Sequence, residues 1–586
     1  MFGKIKSIEE NVIIVENTAG KMDVNYINYH VVFAEASRKI IGEITSIKET
    51  DIEILLVGEI KNEEFYSGVL KKPNFSTIPR LVYKSEVELF LGSQDIANKS
   101  NLYIGSSNIY EGFNVSTDLN SFFSNHFAII GNTGSGKSCG VARILQNIFY
   151  HNDENLPVNA HIILFDVYGE YNSALSVLNN LSGIGYKSYS TKLDFTEGDI
   201  LNIPAYFLDV DDLALLLNAT TPSQIPIIEK AIRLVYVFKS KEQYMQTYKN
   251  DIIASALLDI LSSGRTSTQI RDQIVAVLSH YNTPTLNLDT QIIQPGYSRT
   301  IKQCLNIDQQ GKMNSVQFVV DFLSSYQKLD LSTIKIDSTL VYNLDDLYYA
   351  FEFALISEGV LKSEKVYDEL NQLKVRLQQI INSQNKLFFD SKEERISKET
   401  YIKSLFGNDK NKRQIINMNL NYIDERFAKI LTKIYTKMFF DYTTDLEQRA
   451  SYPIHIILEE AHRYVQNDSD LHVLGYNIFD RITKEGRKYG VLLGLITQRP
   501  SELSNTALSQ CSNFIAFRMF HPEDLRIISN ISSNVSLETV EKLKSLVPGT
   551  AMVFGTSFKL PLLVKLQLPD PMPQSTSVDI KNLWYN

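Results

Sequence analysis

The sequence predicts an α/β protein: a mostly parallel sheet with helices on both faces, preceded by a small β-barrel and interrupted by a helical insertion. Three observations predict it. Residues 1 to about 90 carry short β-rich runs, NVIIVEN, HVVFAEA and DIEILLVGEI, separated by polar or glycine-containing turns, the spacing of a small barrel. From about 100 onward strands alternate with helical patterns, which implies parallel pairing. Between about 205 and 410 the strand signal fades and helical periodicity takes over, as in SQIPIIEKAIRLVYVFKSKEQYMQTYK and SEKVYDELNQLKVRLQQIINSQ.

The bulk numbers fit this reading. A chain of 586 residues, 44% apolar and 21% charged, has the composition of an ordinary globular protein with several domains. No window approaches 18 uninterrupted apolar residues, and the N-terminus MFGKIKSIEENVIIVEN lacks a signal peptide's apolar run and cleavage site, so a cytoplasmic protein without a membrane partner is expected. Cys139, Cys304 and Cys511 have no C-x-x-C spacing, which argues against a disulfide framework and a zinc site. The net charge of -9 gives no support to nucleic-acid binding, yet does not exclude it, because a ring or cleft can be locally basic.

Taken in order, residues 1–95 hold 11 Lys and Arg against 14 Asp and Glu over the first 90, so the barrel reads as an assembly or partner-docking domain. Residues 96–204 form the first part of the core. Here the strand Phe127 to Ile130 runs into GNTGSGKS, Gly131-Asn132-Thr133-Gly134-Ser135-Gly136-Lys137-Ser138, and a helical pattern follows from Cys139 to Tyr150. The stretch fits G-x-x-x-x-G-K-[ST], the phosphate loop of P-loop NTPases. Its glycines let successive amides point inward around a phosphate at a helix N-terminus, with Cys139 closing the cradle. Lys137 supplies a cation for the β- and γ-phosphates of ATP, and Ser138 a hydroxyl for Mg²⁺. The strand His161 to Phe165 ends at Asp166, placed to serve the nucleotide, whereas Glu170 reads as a cap of the following helix.

After the insertion, 205–410, the core resumes over 411–567 with strands Gln414 to Met418, His455 to Leu458 and Val491 to Ile496. In IHIILEEAHRYV two adjacent carboxylates stand at a strand's carboxyl end, where open α/β sheets place ligands. Glu459 is read as organising Mg²⁺, directly or through water, and Glu460 as polarising the attacking water; an acidic helix start is the alternative. Gln498, at the end of VLLGLITQ, has an amide suited to sensing the γ-phosphate or its water, the alternative being an ordinary loop amide. The cations of RITKEGRKYG, Arg481, Lys484, Arg487 and Lys488, read by composition as a solvated helix surface. The arm 568–586 opens with three prolines in five residues and carries the only tryptophan, Trp584.

These blocks together resemble the HerA-type ATPases, in the same broad group as the FtsK DNA pumps, through the N-terminal barrel, NHFAIIGNTGSGKS, FDVYGEY, LEEAHRYV and EGRKYGVLLGLITQRPSELSNTALSQCSNFIAFRM. The departures are Glu459, where that family usually has Asp, and a helical segment without a counterpart. The resemblance implies a RecA-like core in a homo-oligomeric, hexameric ring, double-stranded DNA threaded through a central pore, and ATP bound between subunits. It implies that Arg487 in EGRKYG reaches a neighbour's γ-phosphate, a role for which a planar guanidinium is suited; Arg518 in FIAFRM is a second candidate, with an ion pair to Asp524 as its alternative. It also implies a separate effector, a nuclease or a sirtuin-like NAD-consuming enzyme, in DNA-end processing or antiviral defence. Two readings stay open: a DNA-translocating ATPase, and a ring scaffold whose nucleotide cycle activates a partner. A P-loop kinase is disfavoured by the trans-acting arginine and the absence of an evident acceptor pocket.

Overall fold

The computed structural model describes residues 2–20, 24–95, 98–150, 156–193, 199–313, 315–327, 340–358, 364–391, 395–408, 411–466, 468–531, 537–574 and 580–585. Parts of the expected insertion (328–339, 359–363, 392–394 and 409–410) and of the C-terminal arm (575–579 and 586) lie outside the described residues. The chain divides into two compact units, Met1–Ile200 with Lys398–Asp468 and Asn477–Asn586, and Leu201–Ser397 with Ser469–Tyr476.

The first unit opens with strands β1 (Phe2–Glu9), β2 (Val12–Asn17), β3 (His30–Glu35), β4 (Arg38–Ile47), β5 (Asp51–Lys61), β6 (Glu64–Ser67) and β7 (Arg80–Leu81). They pair antiparallel in the order β1-β2-β5-β4-β3-β7, with β6 added to β5. The sequence reading expected a barrel; among the described residues the end strands β1 and β7 do not pair with each other, so the sheet is an open half-barrel. Alternation explains why it need not close. Val31, Phe33, Ile40, Ile44, Ile52 and Ile54 form one core on one face. Val32, Ile41 and Ile60, from the intervening positions, join Val87 and Phe90 of the helix Lys84–Leu91 in the larger core. Both faces are thereby covered without the two edge strands meeting.

The remaining strands are β8 (Asn101–Ser107), β9 (Asn114–Asp118), β10 (Phe127–Ile130), β11 (Ile162–Asp166), β12 (Tyr186–Ser190) and β13 (Asp199–Ile200), the second unit's hairpin β14 (Gln291–Gln294) and β15 (Tyr297–Thr300), then β16 (Ile415–Asn419), β17 (Ile454–Leu458), β18 (Val491–Thr497), β19 (Asn513–Ala516), β20 (Thr550–Gly555) and β21 (Leu562–Lys565). Twelve of them make one sheet, ordered β13-β12-β16-β11-β17-β18-β10-β19-β20-β21-β8-β9. From β13 to β19 every neighbouring pair is parallel; from β19 to β9 every pair is antiparallel. The sheet is mostly parallel, as expected, and made mixed by a four-stranded antiparallel extension beyond β19. The central strands FAII, IHIIL and VLLGLIT are apolar at nearly every position, as strands buried on both faces must be. A Cβ on Gly494 of β18 would lie 2.4 Å from the Phe127 ring, so glycine there admits the aromatic side chain of β10.

The second unit is mainly helical. Its helices Gln224–Lys239 and Leu344–Glu358 pack on one another, burying Ile228, Ala231, Leu234 and Val235 of the first and Leu347, Ala350 and Phe351 of the second. Among the described residues, no helix is long and apolar enough to cross a membrane.

Candidate active site

Strand β10 delivers the chain to the loop Gly131–Gly136, and the helix Lys137–Phe149 leaves it. Gly134 (φ 72°) and Gly136 (φ 95°) take left-handed backbone, and a Cβ on Gly136 would stand 2.8 Å from the amide nitrogen of Gly549. The loop is pinned at both ends: the Gly131 amide donates to the Thr497 carbonyl (3.2 Å), Asn132 to Arg518 (3.0 Å), and Gly549 to Ser135 (2.9 Å). The first-turn amides of the helix have no intrahelical acceptor, and they edge a cavity of ≈ 550 Å³.

Lys137 lies at its base, almost wholly buried. Burial lowers its pKa, opposed by the charges of Glu460 and Glu459. Its Nζ is 3.4 Å from Glu460 Oε1, which also accepts a 2.5 Å hydrogen bond from Gln498 Nε2. The Gln498 carbonyl oxygen in turn accepts from the Thr133 hydroxyl at 2.5 Å. A continuous polar path therefore joins the loop, the carboxylate after β17 and the amide after β18. Glu460 has left-handed backbone (φ 47°). Its Oε2 faces Nδ1 of His462 at 3.3 Å, an imidazole whose pKa burial lowers, and accepts no hydrogen bond among the described residues.

Asp166, at the end of β11, is fully buried. It accepts from the amides of Glu170 and Tyr171 and from Asn417 Nδ2, each at 3.1 Å. Glu459 accepts the Val167 amide at 3.1 Å, and its carboxylate lies within reach of the Asp166 charge. Burial, reinforced by the neighbouring carboxylates, raises the pKa of Glu459 well above 4.5, and burial raises that of Asp166. Glu170 is half-buried, its pKa raised by burial and then by the charge of Asp166, and it lines the same cavity as Ser138.

The donor set suits Mg·ATP. A buried ammonium and a Ser135 hydroxyl lacking a partner among the described residues stand beside the loop where phosphates need donors. Among the described residues no group of three His, Cys, Asp or Glu is arranged to hold a metal by itself. One hydroxyl with carboxylates nearby is what a Mg²⁺ needs when phosphates and water complete its shell.

The structure thus brings Gly131 through Cys139, Asp166, Glu459, Glu460 and Gln498 to one place. Arg487 is elsewhere: it is exposed near the C-terminal end of the helix Ile478–Tyr489, and its charge helps hold His126, just before β10, at a pKa of about 4, behind the effect of burial. That is the opposite edge of the sheet from the loop, the four-residue length of β10 away, about 13 Å. Arg518 gives its carbonyl to Asn132 and stacks its guanidinium over Phe520 at 5.1 Å, while Asp524 accepts the Ser501 amide, so the alternative ion pair between the two is not formed.

Sequence reasoning missed four contributors. Glu170 was read as a helix cap, Thr133 only as part of the cradle, and His462 carried no spacing signal. The fourth is the segment from Leu566 to Pro573, which walls the cavity with Leu566, Gln567, Leu568 and Pro573. It is stitched down by Gln146, which accepts the Asp570 amide at 3.1 Å, and by Arg143 on Gln567 at 2.7 Å. Partners 424 residues apart leave no local pattern to read.

The family described as helicase HerA, central domain, matches residues 102–439. The chain is 23% identical over 521 residues to a DNA double-strand break repair helicase HerA of Pyrococcus furiosus, covering 89% of this chain and 78% of that one. It is 24% identical over 560 residues to a probable DNA double-strand break repair helicase HerA of Methanocaldococcus jannaschii, covering 93% and 92%. Among solved structures, VirB4 of Thermoanaerobacter pseudethanolicus aligns at TM-score 0.42 and 12% identity over 80% of this chain and 97% of that one. The plasmid coupling protein TrwB with a non-hydrolysable ATP analogue aligns at 0.42 and 11% over 85% and 95%. These two likenesses are too loose to bear on function.

Proposed function

The chain belongs to the family defined by the central domain of helicase HerA and is an ATP-hydrolysing enzyme of the helicase type; on that premise we propose that it is a ring motor, a hexamer, that moves along double-stranded DNA held in its pore. The observation that carries the proposal is the split of the catalytic groups. Loop, carboxylates and Gln498 converge in one cavity, while the exposed Arg487 stands at the far edge of the same sheet. A ring resolves that split, because each site then lies between one chain's cavity and the next chain's arginine.

In this mechanism the loop amides and Lys137 bind the β- and γ-phosphates. Ser138 would hold a Mg²⁺ through its hydroxyl, and the ion would supply neutralisation of the phosphate charge. Glu460, released from Lys137 by the phosphates, orients and polarises the attacking water. Gln498 holds Glu460 on one side and Thr133 of the loop on the other, so it couples the γ-phosphate position to the base. Arg487 of a neighbouring chain stabilises the transferring phosphoryl group. The names of the two relatives, both double-strand break repair helicases, support DNA as the track. A separate effector, a nuclease or an NAD-consuming enzyme, docks on the N-terminal sheet in DNA-end processing or antiviral defence; co-purification of such an activity with the full chain tests it.

ATP turnover with and without long duplex DNA is the deciding measurement for the motor. Stimulation is expected. Turnover indifferent to duplex of any length favours the ring scaffold that activates a partner without translocation.

A further inference from the structure

The segment after β21 is a strap drawn over the helix Lys137–Phe149 and tied down along its length. The Leu566 amide donates to the Gly549 carbonyl and the Gly549 amide to the Ser135 carbonyl, each at 2.9 Å, so the strap starts from the phosphate loop itself. Farther on, Gln146 accepts the Asp570 amide on Oε1 at 3.1 Å and donates Nε2 to the Asp570 carbonyl at 3.2 Å. The Tyr150 hydroxyl donates to that same carbonyl at 3.2 Å, and the Ser173 hydroxyl to the Met572 carbonyl at 2.9 Å. The Gln574 amide ends it on the Glu170 carbonyl at 2.9 Å. The helix is shaped to receive the strap: a Cβ on Gly140 would stand 3.3 Å from Leu566 Cδ2 and 2.5 Å from the Phe517 ring. Sheet order fixes which end of the cavity is closed in this way. Glu460 and Gln498 follow β17 and β18 on one side of β10, whereas Gly549 precedes β20 and Leu566 follows β21 on the other. A nucleotide whose γ-phosphate meets Glu460 therefore turns its nucleoside toward the strap.

Among the described residues the strap gives this cavity Leu566, Gln567, Leu568 and Pro573. Leu568 is 67% exposed, so most of an apolar side chain is open for a ligand to cover. Gln567 alone of the four is polar. A guanidinium only donates, so Arg143 Nη2 at 2.7 Å fixes the Gln567 oxygen as the acceptor and leaves its amide nitrogen as a donor. We propose that the strap is the nucleoside subsite, with Leu568 as its base-contacting residue, and that the site takes purine nucleoside triphosphates as a class, discriminating weakly between adenine and guanine. Discrimination by large factors needs polar groups that match one base's pattern of donors and acceptors and are left unpaired by another. Adenine and guanine both carry acceptors for a donor amide, and both offer a flat face to leucine, so neither leaves this wall unsatisfied.

The inference rests on the ATP-hydrolysing reading of the site, and inorganic triphosphate separates the two. Binding of inorganic triphosphate and of non-hydrolysable ATP and GTP analogues to the full chain, each with Mg²⁺, is measured by isothermal titration calorimetry. The two analogues should bind within about tenfold of one another. Leu568→Ser, at a position open enough to take a polar side chain, should weaken both analogues alike, by about 5- to 10-fold, and leave triphosphate within about twofold of wild type. Leu568→Met, which keeps an apolar contact of similar size, should restore most of the affinity for both. The proposal is overturned if Leu568→Ser binds the analogues as wild type does, if it weakens triphosphate as much as the nucleotides, or if the wild-type chain prefers one analogue by more than about tenfold. Failure of the wild-type chain to bind triphosphate and both analogues would instead remove the reading on which the proposal stands.

Discussion

Glu460 holds a left-handed backbone conformation that costs a non-glycine residue about 1–2 kcal/mol, and its carboxylate is thereby aimed at Lys137 and Gln498 rather than along the strand. Two substitutions separate binding from chemistry. Lys137→Ala should abolish ATP hydrolysis and weaken nucleotide binding, because it removes the buried cation facing the phosphates. Glu460→Gln should bind ATP with near-normal affinity and turn over at least about 10²-fold more slowly, since the amide keeps the shape and loses the basicity. Near-normal turnover in Glu460→Gln would move the base elsewhere in the cluster. The pair Asp166 and Glu459 gives a pH signature. A carboxyl whose folded pKa lies above its ordinary 4.5 keeps a proton that the unfolded chain gives up. The folded state then binds more protons above that value, so the pair's stabilisation is full at lower pH and is lost as pH rises through the folded pKa. Glu459→Gln, permanently neutral, should gain melting temperature relative to wild type as pH rises from the ordinary carboxylate range through the folded pKa, in nucleotide-free protein. A melting-temperature difference between the two proteins that does not change with pH would contradict the raised pKa of Glu459.

The decisive elements are β10, β17 and β18, whose parallel register puts the loop, Glu459–Glu460 and Gln498 at one edge of the sheet. The same register puts the end of the helix Ile478–Tyr489, with Arg487, at the other. Arg487→Ala should therefore leave folding and ATP binding nearly intact while removing turnover by roughly 10³-fold or more. Mixing it with Lys137→Ala should restore part of the activity, because some interfaces then join an intact cradle to an intact arginine. If subunits exchange and the mixture stays inactive, Arg487 does not act across an interface.

For the whole molecule, a net charge of -9 requires that contacts to a polyanion be concentrated on a small basic surface. Duplex DNA binding should thus appear only in assembled protein and should weaken steeply with salt, a dependence that fluorescence anisotropy across a salt series reads directly. Salt-insensitive binding by isolated chains would exclude a charged pore.

The sequence by itself determined the five central strands, the phosphate loop and the carboxylates at the end of β17, because each is written in contiguous residues. FAII, IHIIL and VLLGLIT announce burial on both faces, and the loop's chemistry lies in eight consecutive positions. It did not reveal β12 (YKSYS) or β9 (NVSTD), whose polar side chains carry no strand-like apolar pattern. Nor could it say that the N-terminal sheet stays open, since alternation tells which residues face inward but not whether two edge strands meet. Only the tertiary structure decided that Thr133 meets Gln498 across 365 residues, that Glu170 joins Ser138 in lining the cavity, and that the segment after β21 walls it. These are contacts between side chains brought together by strand order, and strand order is fixed by the burial of the whole sheet rather than by any local run of residues.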